Sequence, residues 1–114
     1  MRPDSGELLQ GTLGILVLKA LLAGPAHGYG IARWVEAATD DVLRIEEGSL
    51  YPALRRLEDR GWVRSEWGLS ENNRRARFYT ISATGRAHLR SEAAQWIRYA
   101  GAVTRVLRAA PALA

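Results

Sequence analysis

The sequence predicts an α+β fold, mainly α-helical with one small β-hairpin. Three observations predict it. Apolar residues recur at helical spacing over residues 8–23, 29–39, 50–60 and 82–109. Residues 62–67 and 76–81 instead alternate with period two and are rich in aromatic and β-branched side chains. Gly and polar clusters at 24–28, 40–41, 61 and 68–75 punctuate these segments.

The chain opens on a polar stretch, residues 1–6, expected to be a loose arm. The first helix, residues 8–23, is apolar almost all the way round. Leu13, Leu16, Val17, Ala20 and Leu21 cover one side, and Ile15, Leu18 and Leu22 another. A helix of that kind must be buried on every side. A chain of 114 residues has a modest core, so part of this helix is expected to pack on a second copy. Gly11 and Gly14 would allow a close helix contact. Gly24-Pro25-Ala26-His27-Gly28 breaks the chain. The second helix, residues 29–39, has Ile31, Trp34, Val35 and Ala38 on its expected inner face, and Asp40-Asp41 ends it. Residues 42–45 read as a short strand.

The stretch 47–62 organises the rest. Ser49 reads as the N-cap, Pro52 falls in the first turn, and Gly61 is placed to leave the helix left-handed. Leu50, Ala53, Leu54 and Leu57 form an apolar stripe. Tyr51, Pro52, Arg55, Arg56 and Asp59 fall on the other side. Such a face fits a DNA major groove, or it is an ordinary solvated helix face; its surroundings decide. Two helices with a short connection, the second basic on its free face, make a helix-turn-helix layout. The hairpin that follows, with its polar loop at 68–75, makes it a winged helix. Arg74, Arg75 and Arg77 sit where a wing would grip sugar-phosphate or reach a minor groove, the alternative being arginines that serve solubility.

Ser82 caps the last helix, which runs to about residue 109. Leu89, Ala93, Trp96, Ala100, Val103 and Leu107 are spaced by fours and threes, a heptad seam that Ile97 and Val106 widen. At 1.5 Å per residue this helix is about 40 Å long, more than a small winged helix covers. Its seam, with Leu13 and Leu16 of the first helix, is therefore expected to meet another subunit. A purely internal contact would leave apolar surface exposed. The expected organisation is a DNA-binding winged helix-turn-helix over residues 1–81 and a dimerisation helix over 82–110, with helix 8–23 shared. Trp96, mid-seam, either fills the dimer core or flanks a cavity for a flat apolar ligand.

Composition excludes several classes. With no cysteine there is no disulfide or thiolate metal site. His27 and His88 lack a metal-ligand spacing, and no metal or cofactor is expected. A neutral His27 bonded to a backbone carbonyl at a helix start is the expected role of that residue. The acidic cluster Thr39-Asp40-Asp41 with Glu46-Glu47 reads as helix-end and solubility chemistry. No segment is apolar enough for a membrane span, no signal-peptide pattern opens the chain, and the expected location is cytoplasmic. The net charge of +4 favours an anionic partner mildly, and every basic residue except Lys19 is Arg, the better partner for phosphate and guanine. A protein-binding winged helix is the rival class, but it should show apolar anchors where Arg55 and Arg56 stand. No His-carboxylate pair or Gly-rich phosphate loop suggests an enzyme.

Three motifs carry a family resemblance over roughly residues 8–107. They are Gly-Pro-Ala-His-Gly-Tyr-Gly-Ile at 24–31, Gly-Ser-Leu-Tyr-Pro-Ala-Leu-Arg-Arg-Leu-Glu at 48–58 with Gly61-Trp62, and Arg-Phe-Tyr-Thr-Ile-Ser-Ala-Thr-Gly at 77–85. In this order they resemble the PadR-type transcriptional regulators, in the short branch with a single C-terminal helix. The resemblance implies a homodimeric winged-helix protein, paired through its first and last helices. It implies binding to a palindromic operator on double-stranded DNA, usually as a repressor released by a small-molecule effector or a stress signal. Carried over, Ser49, Tyr51, Pro52 and Arg55 read DNA, Tyr29 contacts its backbone, and Arg75 and Arg77 embrace the flanking groove; Arg56 and Arg74 join them as expected phosphate contacts. The wing tip, Ser70-Glu71-Asn72-Asn73-Arg74-Arg75, departs from many relatives in lacking a Gly-Pro pair.

Overall fold

Helix α1 (Leu13–Ala20) is the spine of the computed structural model, which describes residues 12–112. The expected arm, the expected helix start at 8–11 with Gly11, and residues 113–114 lie outside the described residues. After Ala20 the chain tightens into a 3₁₀ turn (Leu21–Ala23) and leaves through Gly24 at φ 141°. Leu13, Val17, Leu18 and Leu21 are buried, while Ile15, Leu16 and Leu22 are only half-buried. The helix packs against three other helices of its own chain. A small fold thus buries most of the apolar run by wrapping it. Leu13, expected at a subunit interface, is core and offers no free surface. Gly14 would carry a Cβ at an ordinary 3.6 Å from Leu57, so no close approach among the described residues depends on it.

Strand β1 (Ala26–His27) lies in what the sequence shows only as a break, and pairs antiparallel with β3 (Arg75–Ile81) through Ala26↔Tyr79 and His27↔Phe78. Helix α2 (Gly28–Ala38) follows directly. Its N-cap is His27, whose Nδ1 accepts from the Gly30 N–H at 3.0 Å. The imidazole therefore accepts from the backbone, where donation to a carbonyl was expected, because the first turn of a helix leaves N–H groups unpaired. Ile31, Val35 and Glu36 are buried, but Trp34 and Ala38 are exposed. The buried arc is rotated toward Glu36 because its carboxylate turns inward and accepts from the Ile45 N–H at 3.1 Å.

That hydrogen bond also explains why residues 42–45 are not a strand. Leu43 gives its N–H to Thr39 Oγ1 at 3.1 Å and Ile45 gives its N–H to Glu36, so side chains of α2 and its C-cap take the donors a ladder would need. Asp40 and Asp41, at φ 50° and 63°, end the helix as expected.

Helix α3 (Glu47–Asp59) begins three residues before the expected start. Its N-cap is Glu46, whose carbonyl accepts from Ser49 and Leu50 at 3.0 and 2.9 Å. Ser49 therefore lies within the first turn and is not the cap, and Pro52 is inside the helix, where it leaves the Gly48 carbonyl without its usual donor. The shift follows from Ile45, which is buried and tied to Glu36, so the chain can turn helical immediately after it. The other end is as expected. Gly61, at φ 76°, donates to Glu58 at 2.9 Å and Trp62 donates to Leu57 at 3.0 Å, a paired closure that needs the left-handed residue. Leu50, Ala53, Leu54 and Leu57 are buried.

Strand β2 (Val63–Leu69) and β3 form the hairpin, registered from Val63↔Ile81 to Leu69↔Arg75, and the sheet order is β1-β3-β2. The strands run further than expected and the loop shrinks to 70–74. Ser70 and Asn73 close it through Ser70 N–H to Arg74 O at 2.8 Å and Asn73 N–H to Ser70 O at 2.9 Å. Asn73 takes φ 59°, a conformation Asn tolerates better than most residues, which is how this tip turns without Gly.

Helix α4 (Ala83–Arg108) is capped by Ser82, whose Oγ accepts from the Gly85 N–H at 3.0 Å. Its root is tied to the end of α3: Ser82 N–H donates to Trp62 O at 2.9 Å, and the Ser82 and Thr84 hydroxyls donate to Gly61 O at 2.7 and 3.1 Å. His88 stacks on Trp62 with ring centroids 3.6 Å apart. Leu89, expected at the interface, is buried in its own chain, and Ala93 is half-buried against the core. From Trp96 onward the helix leaves the body.

Candidate nucleic-acid interface

The recognition surface starts from the outer side of α3. Its apolar stripe faces α1, so Tyr51, Pro52, Arg55, Arg56 and Asp59 face out and are exposed. Ser49 is half-buried. Arg55 and Arg56 on that face suit phosphate and base edges.

Tyr51 has a fixed place. Its phenol ring lies on Gly28 at the start of α2, where an added Cβ would stand 2.7 Å from the Tyr51 hydroxyl oxygen. No residue with a side chain fits there without displacing Tyr51. Tyr29, one residue on, is 70% exposed at the helix N-terminus, where free N–H groups and the helix dipole favour an anion.

The wing supplies the facing wall. Alternation in the strands puts Val63, Ser65, Trp67 and Leu69 of β2 on one face with Ile81, Tyr79, Arg77 and Arg75 of β3. At the root this face is core: Val63, Tyr79 and Ile81 are buried. Toward the tip it becomes the wall of a cleft of about 720 Å³, shared by Tyr29, Tyr51, Trp67, Arg74, Arg75 and Arg77. The expected contacts Tyr29, Tyr51, Arg74, Arg75 and Arg77 are thus brought together. Ser49, Pro52, Arg55 and Arg56 stand outside this cleft, on α3.

The three wing arginines are not equivalent. Arg77 is engaged within the protein. Its Nε donates to Ser65 Oγ at 2.8 Å, Ser65 Oγ donates to Glu58 Oε2 at 2.7 Å, and the guanidinium lies 3.6 Å from the same carboxylate oxygen. Arg77 therefore fastens the wing to α3. Arg75 is exposed and its guanidinium lies over the Trp67 ring at 4.6 Å, with Arg77 at 5.7 Å. Burial pushes the Tyr79 phenol above its ordinary value of 10.0, with the Arg77 charge opposing it. Glu58, Ser65 and Trp67 are functional neighbours that sequence reasoning missed. Period-two alternation, carried past Val63, would have put Ser65 and Trp67 on the same face.

The expected dimer residues divide. Leu13 and Leu89 are core, Leu16, Ala93 and Ala100 are half-buried, and Trp96, Ile97, Val103 and Leu107 are exposed. A groove along α4 is lined by Ile97, Tyr99 and Arg105 among others. No group of His, Asp or Glu among the described residues could hold a metal ion. No helix among them is long and apolar enough to cross a membrane.

Comparison with known proteins identifies this arrangement. A 37.1 kDa protein in transposon TN4556 of Streptomyces fradiae is 39% identical over 89 residues, which span 78% of this chain and 24% of that protein. A transcriptional regulator from Clostridium thermocellum superposes with a TM-score of 0.77 at 26% identity, over 87% of this chain and 96% of that one. A PadR family transcriptional regulator from Eggerthella lenta superposes with a TM-score of 0.72 at 35% identity, over 91% and 88%. The Transcriptional regulator PadR-like family matches residues 17–91, most of the folded body, and this chain, a winged-helix DNA-binding regulator in architecture, belongs to that family.

Proposed function

We propose that this chain is a homodimeric repressor that binds a palindromic operator and is released by a small-molecule or stress signal. The observation that carries the DNA-contact reading is the cleft in which Tyr51 of α3, Tyr29 of α2 and the wing arginines converge, beside the exposed Arg55 and Arg56. In this reading α3 enters the major groove, Arg55 and Tyr51 read base edges, and Arg56, Arg74 and Arg75 hold phosphates, with Ser49 and Pro52 at the groove wall. Residues up to 81 bind DNA and residues 82–110 pair the copies.

Pairing is supported by α4. Trp96, Ile97, Val103 and Leu107 carry the apolar side of α4 beyond the body and stay exposed among the described residues. Burying them on a second copy, with Leu16 and Ala93 at the margin, sets two recognition helices about 34 Å apart, one turn of DNA. Two copies of Trp96 would then face a common space, where a flat apolar effector could lodge.

The test is a gel shift with the DNA directly upstream of the chain's own gene, at two salt concentrations and with competitor. Specific binding persists under competitor and protects a palindrome; binding that vanishes with salt and competitor is charge attraction alone and overturns the operator reading. Arg55→Ala lowers specific binding more than non-specific binding if Arg55 reads a base. Val103→Glu yields a monomer by sedimentation if the seam pairs the copies. Fluorescence of a variant keeping only Trp96 responds to planar apolar compounds if the effector lodges there.

A further inference from the structure

Trp67 is 57% exposed on the wing, an unfavourable place for the largest apolar side chain unless it has work there. It lies on the cleft-facing side of the hairpin, opposite Arg77 in register and diagonal to Arg75. Arg77 has other anchors in Ser65 and Glu58. The Arg75 side chain makes no hydrogen bond or ion pair among the described residues, and its guanidinium lies over the Trp67 ring at 4.6 Å.

We propose that Trp67 is a positioning residue for DNA binding, holding the Arg75 guanidinium in place for a backbone phosphate. This rests on the reading that the wing contacts DNA. The chemistry differs from that of an ion pair in one decisive way. Stacking uses the flat face of the guanidinium and leaves its N–H donors, which lie in the plane, free to meet phosphate oxygens. A carboxylate partner would offset the charge and compete for those donors, as Glu58 does at Arg77, where Ser65 Oγ also takes the Nε donor. The wing therefore carries one arginine spent on holding it to α3 and one held out, ordered but unneutralised. An arginine already ordered loses less freedom when it binds.

The experiment is a double-mutant cycle on the full chain, with Trp67→Ala, Arg75→Ala and the double variant. Binding is measured by fluorescence anisotropy with a labelled mixed-sequence duplex and with the duplex from upstream of the chain's gene, across a salt series. Trp67→Ala weakens binding about 2- to 5-fold, the span of an exposed cation–π contact. Trp67→Phe, which keeps an aromatic face, recovers most of it. Arg75→Ala lowers the salt slope by about one phosphate contact. In the Arg75→Ala background, Trp67→Ala costs nothing further. An additive loss overturns the proposal, since Trp67 would then act without Arg75, while the wing-contact reading stands. If Arg75→Ala binds like the parent at every salt concentration, Arg75 meets no phosphate and the proposal fails; the wing reading fails too only if Arg74→Ala is equally silent. Should Trp67→Ala not fold, Trp67→Leu in the same cycle removes the aromatic face while keeping an apolar side chain, and is read in the same way.

Discussion

Gly85→Ala tests the joint between the wing and the long helix. Gly85 is buried in the first turn of α4, where an added Cβ would stand 2.1 Å from the Trp62 carbonyl oxygen and 3.0 Å from Ile81 Cγ1. The first of these atoms is backbone and cannot swing aside. Reaching even 3.0 Å requires the helix root and the Trp62 peptide to separate by about 0.9 Å. That same carbonyl accepts the Ser82 N–H at 2.9 Å, and its neighbour at Gly61 accepts two hydroxyls. Overpacking of this kind costs about 1–3 kcal/mol, and a lost hydrogen bond about 1 kcal/mol more. The expected destabilisation is about 2–4 kcal/mol, a fall in Tm on the order of 10 °C or more for a domain near this size. Gly101→Ala is the matched control. It lies in the same helix with nothing within 4 Å of an added Cβ, and gains up to about 1 kcal/mol from helix propensity. Differential scanning calorimetry of both variants reads the contrast. A Gly85→Ala protein melting within about 2 °C of the parent would refute the claim that α4 leaves the wing through a contact with room only for glycine.

Three further outcomes follow from single contacts. Glu36→Ala leaves the buried Ile45 N–H without its acceptor and costs about 1–3 kcal/mol, while Glu36→Gln, which keeps an acceptor oxygen, recovers most of it in urea titrations. The raised Tyr79 phenol means that folding favours the protonated form: its contribution is fully present below pH 10.0, the ordinary value, and is lost as pH rises through the higher folded value. Thermal melts across that alkaline range should show a fall in stability that Tyr79→Phe reduces, and an equal fall in both proteins would remove Tyr79 as a contributor. His27→Ala removes the cap of α2 and should cost about 0.5–2 kcal/mol, with His27→Asn, a side chain that also caps, restoring much of it by circular dichroism melts.

How much of this was legible in the sequence depends on the range of the interaction involved. The inner face of α3 and its glycine exit follow from spacing and backbone chemistry within one helix, and both stand. The start of α3 did not follow, because it depends on Ile45 being held by Glu36, nine residues earlier and on another helix. The strand expected at 42–45 failed for the same reason: Glu36 of α2 and Thr39 at its C-cap take its donors. Strand β1 was invisible, since two residues carry no period and the pairing partner lies some fifty residues away.

The site divides along the same line. Tyr51, Arg55 and Arg56 face outward because the leucines of their own helix face inward, which a periodicity alone gives. Reading Arg74, Arg75 and Arg77 as one basic group does not reveal the Glu58 contact of Arg77, because a residue's type does not show whether its charge is already engaged. Glu58 engages it from the last turn of α3, and only the folded register brings the two together. If Trp67 holds Arg75 as proposed, the wing works as a pairing of one restrained and one presented arginine around Trp67 and not as a patch of positive charge. Its contribution to binding should follow the orientation of Arg75 more closely than the number of arginines it carries.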